Sequence, residues 1–223
     1  MSEKYNFSII IISSDFSFFI ENILSKYLEL NNNFELILVS ENNFDIPNKF
    51  TMQLNIKKVI SDNKLPSFKR NLGVDQCKYN FLIFTDDDAF LDENYLQYAE
   101  EYFQKGYLCF GGPQLTPKNE TFYGKLSGNF YENLFFNPFY YRYKKSNKNQ
   151  IRSVPELPTV NFCIKKEIFA NTDGFNLKFW PGEDSVICNQ IIINGNKIYY
   201  FSNLCVYHYR RSTIFKHFKQ ISR

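Results

Sequence analysis

The chain alternates between short apolar runs and segments whose apolar residues recur at helical spacing. Phe7 to Ile12 is an almost continuous apolar run, which predicts a strand buried on both faces of a parallel sheet. Phe16 to Leu30 follows with Phe19, Ile23, Leu24, Tyr27 and Leu28 on one side, a helix pattern. Glu35 to Val39 and Ile56 to Ile60 read as further strands, Phe68 to Cys77 as a short helix or turn, and Phe81 to Thr85 as another strand. Tyr95 to Gln104 reads as a helix and Tyr107 to Phe110 as a strand ending in Gly111-Gly112-Pro113. This alternation predicts an α/β fold with a doubly wound, mainly parallel sheet.

Glu120 to Pro158 breaks the rhythm. It is rich in Tyr, Phe, Asn and Lys, is punctuated by Pro138, Pro155 and Pro158, and shows no clear period. A long insert of this kind in a compact domain is usually functional or mobile. The pattern resumes with a strand over Val160 to Ile164 and a short helix over Lys165 to Ala170, closed by Gly174. Glu183 to Ile193 then reads as a helix, Lys197 to Phe201 as a strand and Cys205 to Tyr209 as a short extended piece. No internal repeat is visible, so the expectation is a single domain over 1–223, with a first half to about residue 115 and a second half from about 116.

Composition narrows the class. The 223 residues are 44% hydrophobic and 19% aromatic, enough for one sizeable core and unlike a disordered chain. A net charge of +3, with no basic stripe of spaced aromatics, argues against nucleic acid as a partner. The five cysteines are scattered, without CxxC or Cys/His ligand spacing, and read as reduced core thiols of a cytoplasmic protein. No signal-peptide pattern opens the chain, and no apolar run approaches the roughly 18 residues of a membrane-spanning helix.

The chemistry concentrates where the strand Phe81 to Thr85 runs into Asp86, Asp87 and Asp88. Carboxylates buried inside a strand cost several kcal/mol each, roughly, unless paired or metal-bound. At the C-terminal end of a central strand they project instead into the crevice where open α/β sheets bind ligands. Extended backbone continued through the triplet would point Asp86 and Asp88 the same way. Two hard oxygen ligands on one side suit Mg2+ or Mn2+ bridging to substrate phosphates, whereas the plain alternative is an acidic turn.

A second signal is Phe179-Trp180-Pro181-Gly182-Glu183-Asp184. Acidic residues at a helix start offset the positive end of the dipole, which would explain Glu183 or Asp184 by itself. The functional reading is a general base within reach of an acceptor hydroxyl, with Trp180 beside it as a stacking platform for a sugar ring or as core. His208, one of two histidines, is either structural or an extra metal ligand. Arg70, in Lys69-Arg70-Asn71-Leu72-Gly73, is either solvated or a bidentate clamp on a pyrophosphate. Ser40-Glu41-Asn42-Asn43 is either a polar turn or the segment that reads a base or ribose.

In order along the chain, these pieces resemble the inverting glycosyltransferases of family 2, which have the GT-A nucleotide-sugar-binding fold. The resemblance rests on Phe84-Thr85-Asp86-Asp87-Asp88-Ala89, Gly111-Gly112-Pro113, Asn161-Phe162-Cys163-Ile164 leading to Gly174-Phe175, Gly182-Glu183-Asp184 and Val206-Tyr207-His208, and it spans nearly the whole chain. It implies a nucleotide-sugar donor, most often UDP-linked, held with Mn2+ or Mg2+. Asp88 would bind the metal directly, Asp86 would contribute from the ribose or base side, and His208 would reach the metal or diphosphate. Ser13, Glu41, Arg70 and Asp87 would complete the donor site. Asp184 would be the catalytic base supported by Glu183, with Trp180 and Gly182 on the acceptor side. The acceptor would be a glycan or a lipid-linked chain.

Two departures stand out. The family usually carries Asp where this chain has Ser40-Glu41, and no QxxRW-type motif is present, so a processive polymerase is not expected. Two other functions compete. A sugar nucleotidyltransferase would show a Gly-rich basic loop where Ser13-Ser14-Asp15-Phe16 stands, and a non-catalytic binding module would not need Asp86, Asp88, Asp184 and His208 together. In Thr213 to Ile221, Ile214, Phe215, Phe218 and Ile221 recur at helical spacing among basic residues. Such a helix can lie on an anionic membrane surface, here the inner face, or pack on the domain.

Overall fold

The structure is a computed structural model that describes residues 6–30, 33–133, 135, 137–146, 149–179 and 181–210. Trp180 and the Thr213 to Ile221 segment lie outside the described residues. Strands β1 (Phe7–Ser13), β2 (Phe34–Ser40), β3 (Ile56–Ile60) and β4 (Phe81–Asp86) pair in parallel in the order β3-β2-β1-β4. β1 is buried along its whole length, as its apolar run demands, and each fully buried Ile contributes about 1.5–3 kcal/mol. The sheet continues through β9 (Phe162–Lys165), β6 (Cys109–Gly111), β10 (Ile198–Phe201) and β8 (Ile151–Val154), giving eight strands among the described residues. β9 runs antiparallel to both β4 and β6, and β8 antiparallel to β10, so the sheet is mostly but not wholly parallel.

Helices α1 (Phe18–Tyr27), α2 (Asn48–Thr51), α3 (Pro66–Asp75) and α4 (Tyr95–Gln104) connect the first strands. The segment around Phe68 is thus a full helix, with Pro66 in its first turn, where a missing N–H costs nothing. The insert contains more order than its pattern predicts: α5 (Phe122–Tyr131), capped by Thr121, a 3-10 turn at Tyr140–Arg142, and β8. The strand predicted from Val160 begins with a 3-10 turn at Thr159–Asn161 and becomes extended only at Phe162. Helices α6 (Lys166–Ala170) and α7 (Glu183–Ile193) follow. All five cysteines are buried, and burial pushes the thiols of Cys77, Cys163, Cys188 and Cys205 up to about 12.

A small second sheet sets the C-terminal part of the site. β11 (Val206–His208) pairs in parallel with β7 (Gln114–Leu115) and antiparallel with β5 (Ala89–Leu91), opposing His208 to Ala89. The Tyr209 N–H donates to the Asp88 carbonyl at 2.9 Å, which extends this ladder to the Asp triplet. Asn161, fully buried, ties the two sheets together. Its amide donates to the carbonyls of Pro113 and Leu204, and its oxygen accepts from the Tyr95 hydroxyl at 2.7 Å.

An apolar replacement removes three buried hydrogen bonds, worth about 0.5–1.5 kcal/mol each; the Pro113 carbonyl keeps the Val206 N–H and the Tyr95 hydroxyl keeps the Cys163 thiol, so the Leu204 carbonyl loses most. Asn161→Leu is therefore expected to lower stability by about 2–4 kcal/mol. Urea unfolding followed by circular dichroism measures this, and a loss below about 1 kcal/mol would show that the amide is not the tie between the sheets.

Candidate functional site

The C-terminal ends of β1, β2 and β4 lie side by side, with Ser13 opposite Ser40 and Ile12 opposite Asp86. They open into a crevice of about 830 Å3, within the range of small-molecule sites. Ser13, Glu41, Lys69, Arg70, Asp86, Asp87, Asp88 and His208 line it, and so do Gly182, Glu183 and Asp184. Arg142, Tyr143, Glu156 and Ser185 also line it.

Helix α3 braces the crevice with two adjacent cations. Arg70, 5% exposed, donates to Glu183 Oε1 at 2.8 Å and to Asp86 Oδ1 at 3.1 Å. Burial alone would weaken its proton, but Asp86, Asp184 and Glu183 hold it more firmly than usual. Both ends of the guanidinium are thus taken by carboxylates, one from β4 and one from α7. Lys69 Nζ, also buried, donates to the Ser13 carbonyl at 2.9 Å and to Glu41 Oε1 at 3.0 Å. One residue on, Asn71 holds the Phe175 backbone at both its N–H and its carbonyl, each at 2.8 Å, and so anchors the loop that leads to α7.

The three aspartates have three different partners. Strand β4 ends at Asp86 and a turn begins at Asp87, so the extended alternation expected through Asp88 does not hold. The short antiparallel return to β5 is what bends the chain there. Asp86 pairs with Arg70. Asp87 accepts from the Ser13 hydroxyl at 2.7 Å, and burial pushes its carboxyl up to about 6 against that hydrogen bond. Asp88 Oδ1 lies 3.1 Å from His208 Nε2, and His208 Nδ1 lies 3.1 Å from Gln114 Oε1.

Asp184, half-buried in the first turn of α7, accepts from the Thr159 hydroxyl at 2.9 Å and from the Thr159 N–H at 3.2 Å. Burial pushes its carboxyl up to about 6. Arg70 and the Thr159 hydroxyl oppose the shift, while Glu183 and Asp86 add to it. Gly182 precedes the helix with φ of +122°, a backbone open to glycine and strained for other residues.

Among the described residues no three His, Cys, Asp or Glu side chains are grouped to hold a metal alone. Asp88 and His208 nonetheless offer a hard oxygen and an imidazole nitrogen at one point of the crevice wall. That set fits Mn2+ or Mg2+ if phosphate oxygens of a substrate complete the shell. The structure thus gathers every sequence-predicted site residue that it describes around one crevice. Lys69, Gln114, Arg142 and Thr159 were missed as functional candidates. Lys69 had a signal, its place beside Arg70, whereas Thr159 and Gln114 join the site only through long-range packing.

A model of the family described as "Glycosyltransferase like family 2" matches residues 6–223. No curated protein matches the sequence. Solved structures similar to this chain include S. aureus TarS 1–349 (TM-score 0.70, 16% identity, 92% of this chain and 60% of that one). The same TarS piece in complex with UDP-GlcNAc aligns with TM-score 0.71 at 16% identity, over 93% and 59% of the two chains. GalNAc-T7 with UDP, GalNAc and Mn2+ aligns with TM-score 0.66 at 15% identity, over 95% and 45%. At such identities the likeness is one of fold, and this chain spans less than two thirds of the length of each.

Removing Arg70 leaves Glu183 buried without a counter-charge, a loss of about 3–5 kcal/mol for a broken buried pair. Arg70→Met is expected to show that loss in urea unfolding, and adding Glu183→Leu should recover part of it. If the double variant is as unstable as the sum of the two single variants, the pairing is not what stabilises this region.

Proposed function

Because the chain belongs to glycosyltransferase-like family 2, we propose that it moves a sugar from a nucleotide-sugar donor, a UDP-sugar, to a hydroxyl of a glycan or lipid-linked acceptor, with inversion and with a divalent metal. One observation carries this reading: a set of groups suited to a nucleotide-sugar and a half-buried carboxylate at a helix start line a single crevice. UDP as the nucleotide is supported by the UDP and UDP-GlcNAc of the structurally similar proteins.

The donor half comprises Ser13, Glu41, Lys69, Asp86 and Asp87 for the nucleoside, with Asp88 and His208 toward the diphosphate. Glu41, oriented by Lys69, stands where the family usually has Asp. Arg70 stabilises Asp86 and Glu183 together, and so fixes the donor wall relative to the base. When bound, Mn2+ or Mg2+ neutralises the charge that builds on the departing nucleoside diphosphate. On the other side Asp184 takes the proton from the acceptor hydroxyl as that oxygen attacks the anomeric carbon opposite the leaving group. Both of its oxygens are oriented by Thr159. A carboxyl raised to about 6 is a stronger base than an exposed one and is still ionised at neutral pH. Trp180, Gly182 and the aromatic insert are assigned to the acceptor, which enters past Arg142 and Tyr143.

Asp184→Asn keeps the shape and removes the base, so turnover should fall by about 10²–10⁴-fold while UDP still binds. The wild-type kcat/KM should decline as pH falls through about 6, because the base is then protonated. Sugar transfer by the variant at near wild-type rate would reduce Asp184 to a helix cap.

Asp88→Ala removes the oxygen beside His208 and should abolish Mn2+-dependent UDP binding in calorimetry. Unchanged affinity would remove Asp88 from the metal site.

A further inference from the structure

Helix α5 turns its apolar face outward. Its buried positions are Gly124 and Gly128, packed so closely that a Cβ would come within 2.3 Å of the Glu120 side chain and 2.2 Å of Thr116 Oγ1 respectively. Phe122, Leu126 and Phe130 recur every fourth residue, hence on one face. All three are exposed, Phe122 by 78%. Tyr123, Phe135 and Phe139, in the same stretch of chain, are likewise exposed. A surface helix ordinarily buries its apolar stripe, and a contiguous exposed patch of this kind marks an interaction site.

The exposed charge of this stretch of chain has one sign. Lys118, Lys125, Lys144 and Lys145 are exposed. The two carboxylates of the same stretch are turned away: Glu120 is buried, accepting from the Thr121 and Arg210 N–H groups, and Glu132 is half-buried.

We propose that this face of α5 docks on an anionic lipid surface. Aromatic and aliphatic side chains flanked by lysines are the makeup of helices that lie in a membrane interface. Lysine stems can rest on the apolar layer while their ammonium groups meet anionic headgroups. A symmetric contact with a second copy would instead bring one lysine-bearing face against another. No helix among the described residues is long and apolar enough to cross a membrane, so the contact is with the surface.

Helix α5 adjoins the crevice, because the ring of Tyr131 at its end stacks on the ring of Tyr143 on the crevice wall, with centroids 4.9 Å apart. Docking therefore presents the acceptor side of the crevice to the bilayer, which makes a lipid-linked hydroxyl the acceptor class. That last step rests on the transferase reading, whereas the docking does not.

Co-sedimentation with phosphatidylcholine vesicles, with and without about 30% phosphatidylglycerol, tests the proposal. The wild-type protein should bind the anionic vesicles at least about tenfold more tightly than the neutral ones. Phe122→Ser, Leu126→Ser and Phe130→Ser together should weaken that binding by about tenfold or more, with UDP binding unchanged in calorimetry. Changing the four lysines to Gln should remove the preference for anionic vesicles. Equal vesicle binding by the wild type and the triple serine variant overturns the proposal, as does no binding by the wild type. A concentration-dependent dimer lost in the triple variant would assign the face to a second copy and overturn it too. Vesicle binding by a wild-type protein that does not bind UDP would sink the transferase reading and leave the docking intact.

Discussion

The site depends on one buried cation. Arg70 joins Asp86, at the end of a central strand, to Glu183, in the first turn of a helix far along the chain. Charges out of water are tolerated only when their partners are placed well, so the arrangement enforces its own geometry. The end of β4 and the segment that bears Asp184 cannot drift apart without exposing an unpaired charge. Helix α3 repeats the device one residue earlier, where Lys69 holds Glu41 and the Ser13 carbonyl, and again one residue later, where the Asn71 amide grips the Phe175 backbone. Three consecutive side chains thus hold Ser13, Glu41, Asp86, Phe175 and Glu183 in fixed places relative to one another.

Beside this ionic brace stands a neutral one. Asn161 satisfies two carbonyls and a tyrosine hydroxyl in a dry interior. These bonds hold the small sheet, and with it His208, against the large one. The ionic brace orients the crevice carboxylates, and the amide orients the ladder that brings the histidine to Asp88.

The parts of the fold that are local in sequence were legible in it. The run Phe7 to Ile12 is the strand buried on both faces that its apolar character predicts, and Glu183 to Ile193 is the helix its pattern describes. What escaped depends on distance along the chain or on an unusual surface. β5 and β7 are too short to carry a period and exist because β11 lies between them. Helix α5 was hidden because its inward face is glycine, so its hydrophobic pattern points to solvent instead of the core. β8 exposes three of its four residues and carries Arg152, which blurred its alternation. In the site, the acidic triplet and the Glu183-Asp184 pair announced themselves. Their different partners did not, because Ser13, Arg70 and His208 reach them from remote segments, and the turn after Asp86 undid the expected alternation.

The pairing of β5 with β11 also bears on how such a chain can diverge. Asp88 and His208 sit at adjacent rungs of one antiparallel ladder, so their separation is set by local hydrogen bonds and not by the length of the polypeptide between them. Insertions in the exposed loops of that intervening stretch add only a slowly growing closure entropy and leave the pair in place. The segment containing α5 can therefore be lengthened at its loops through descent, adapting the surroundings of the crevice to new partners while the Asp88 and His208 pair keeps its spacing.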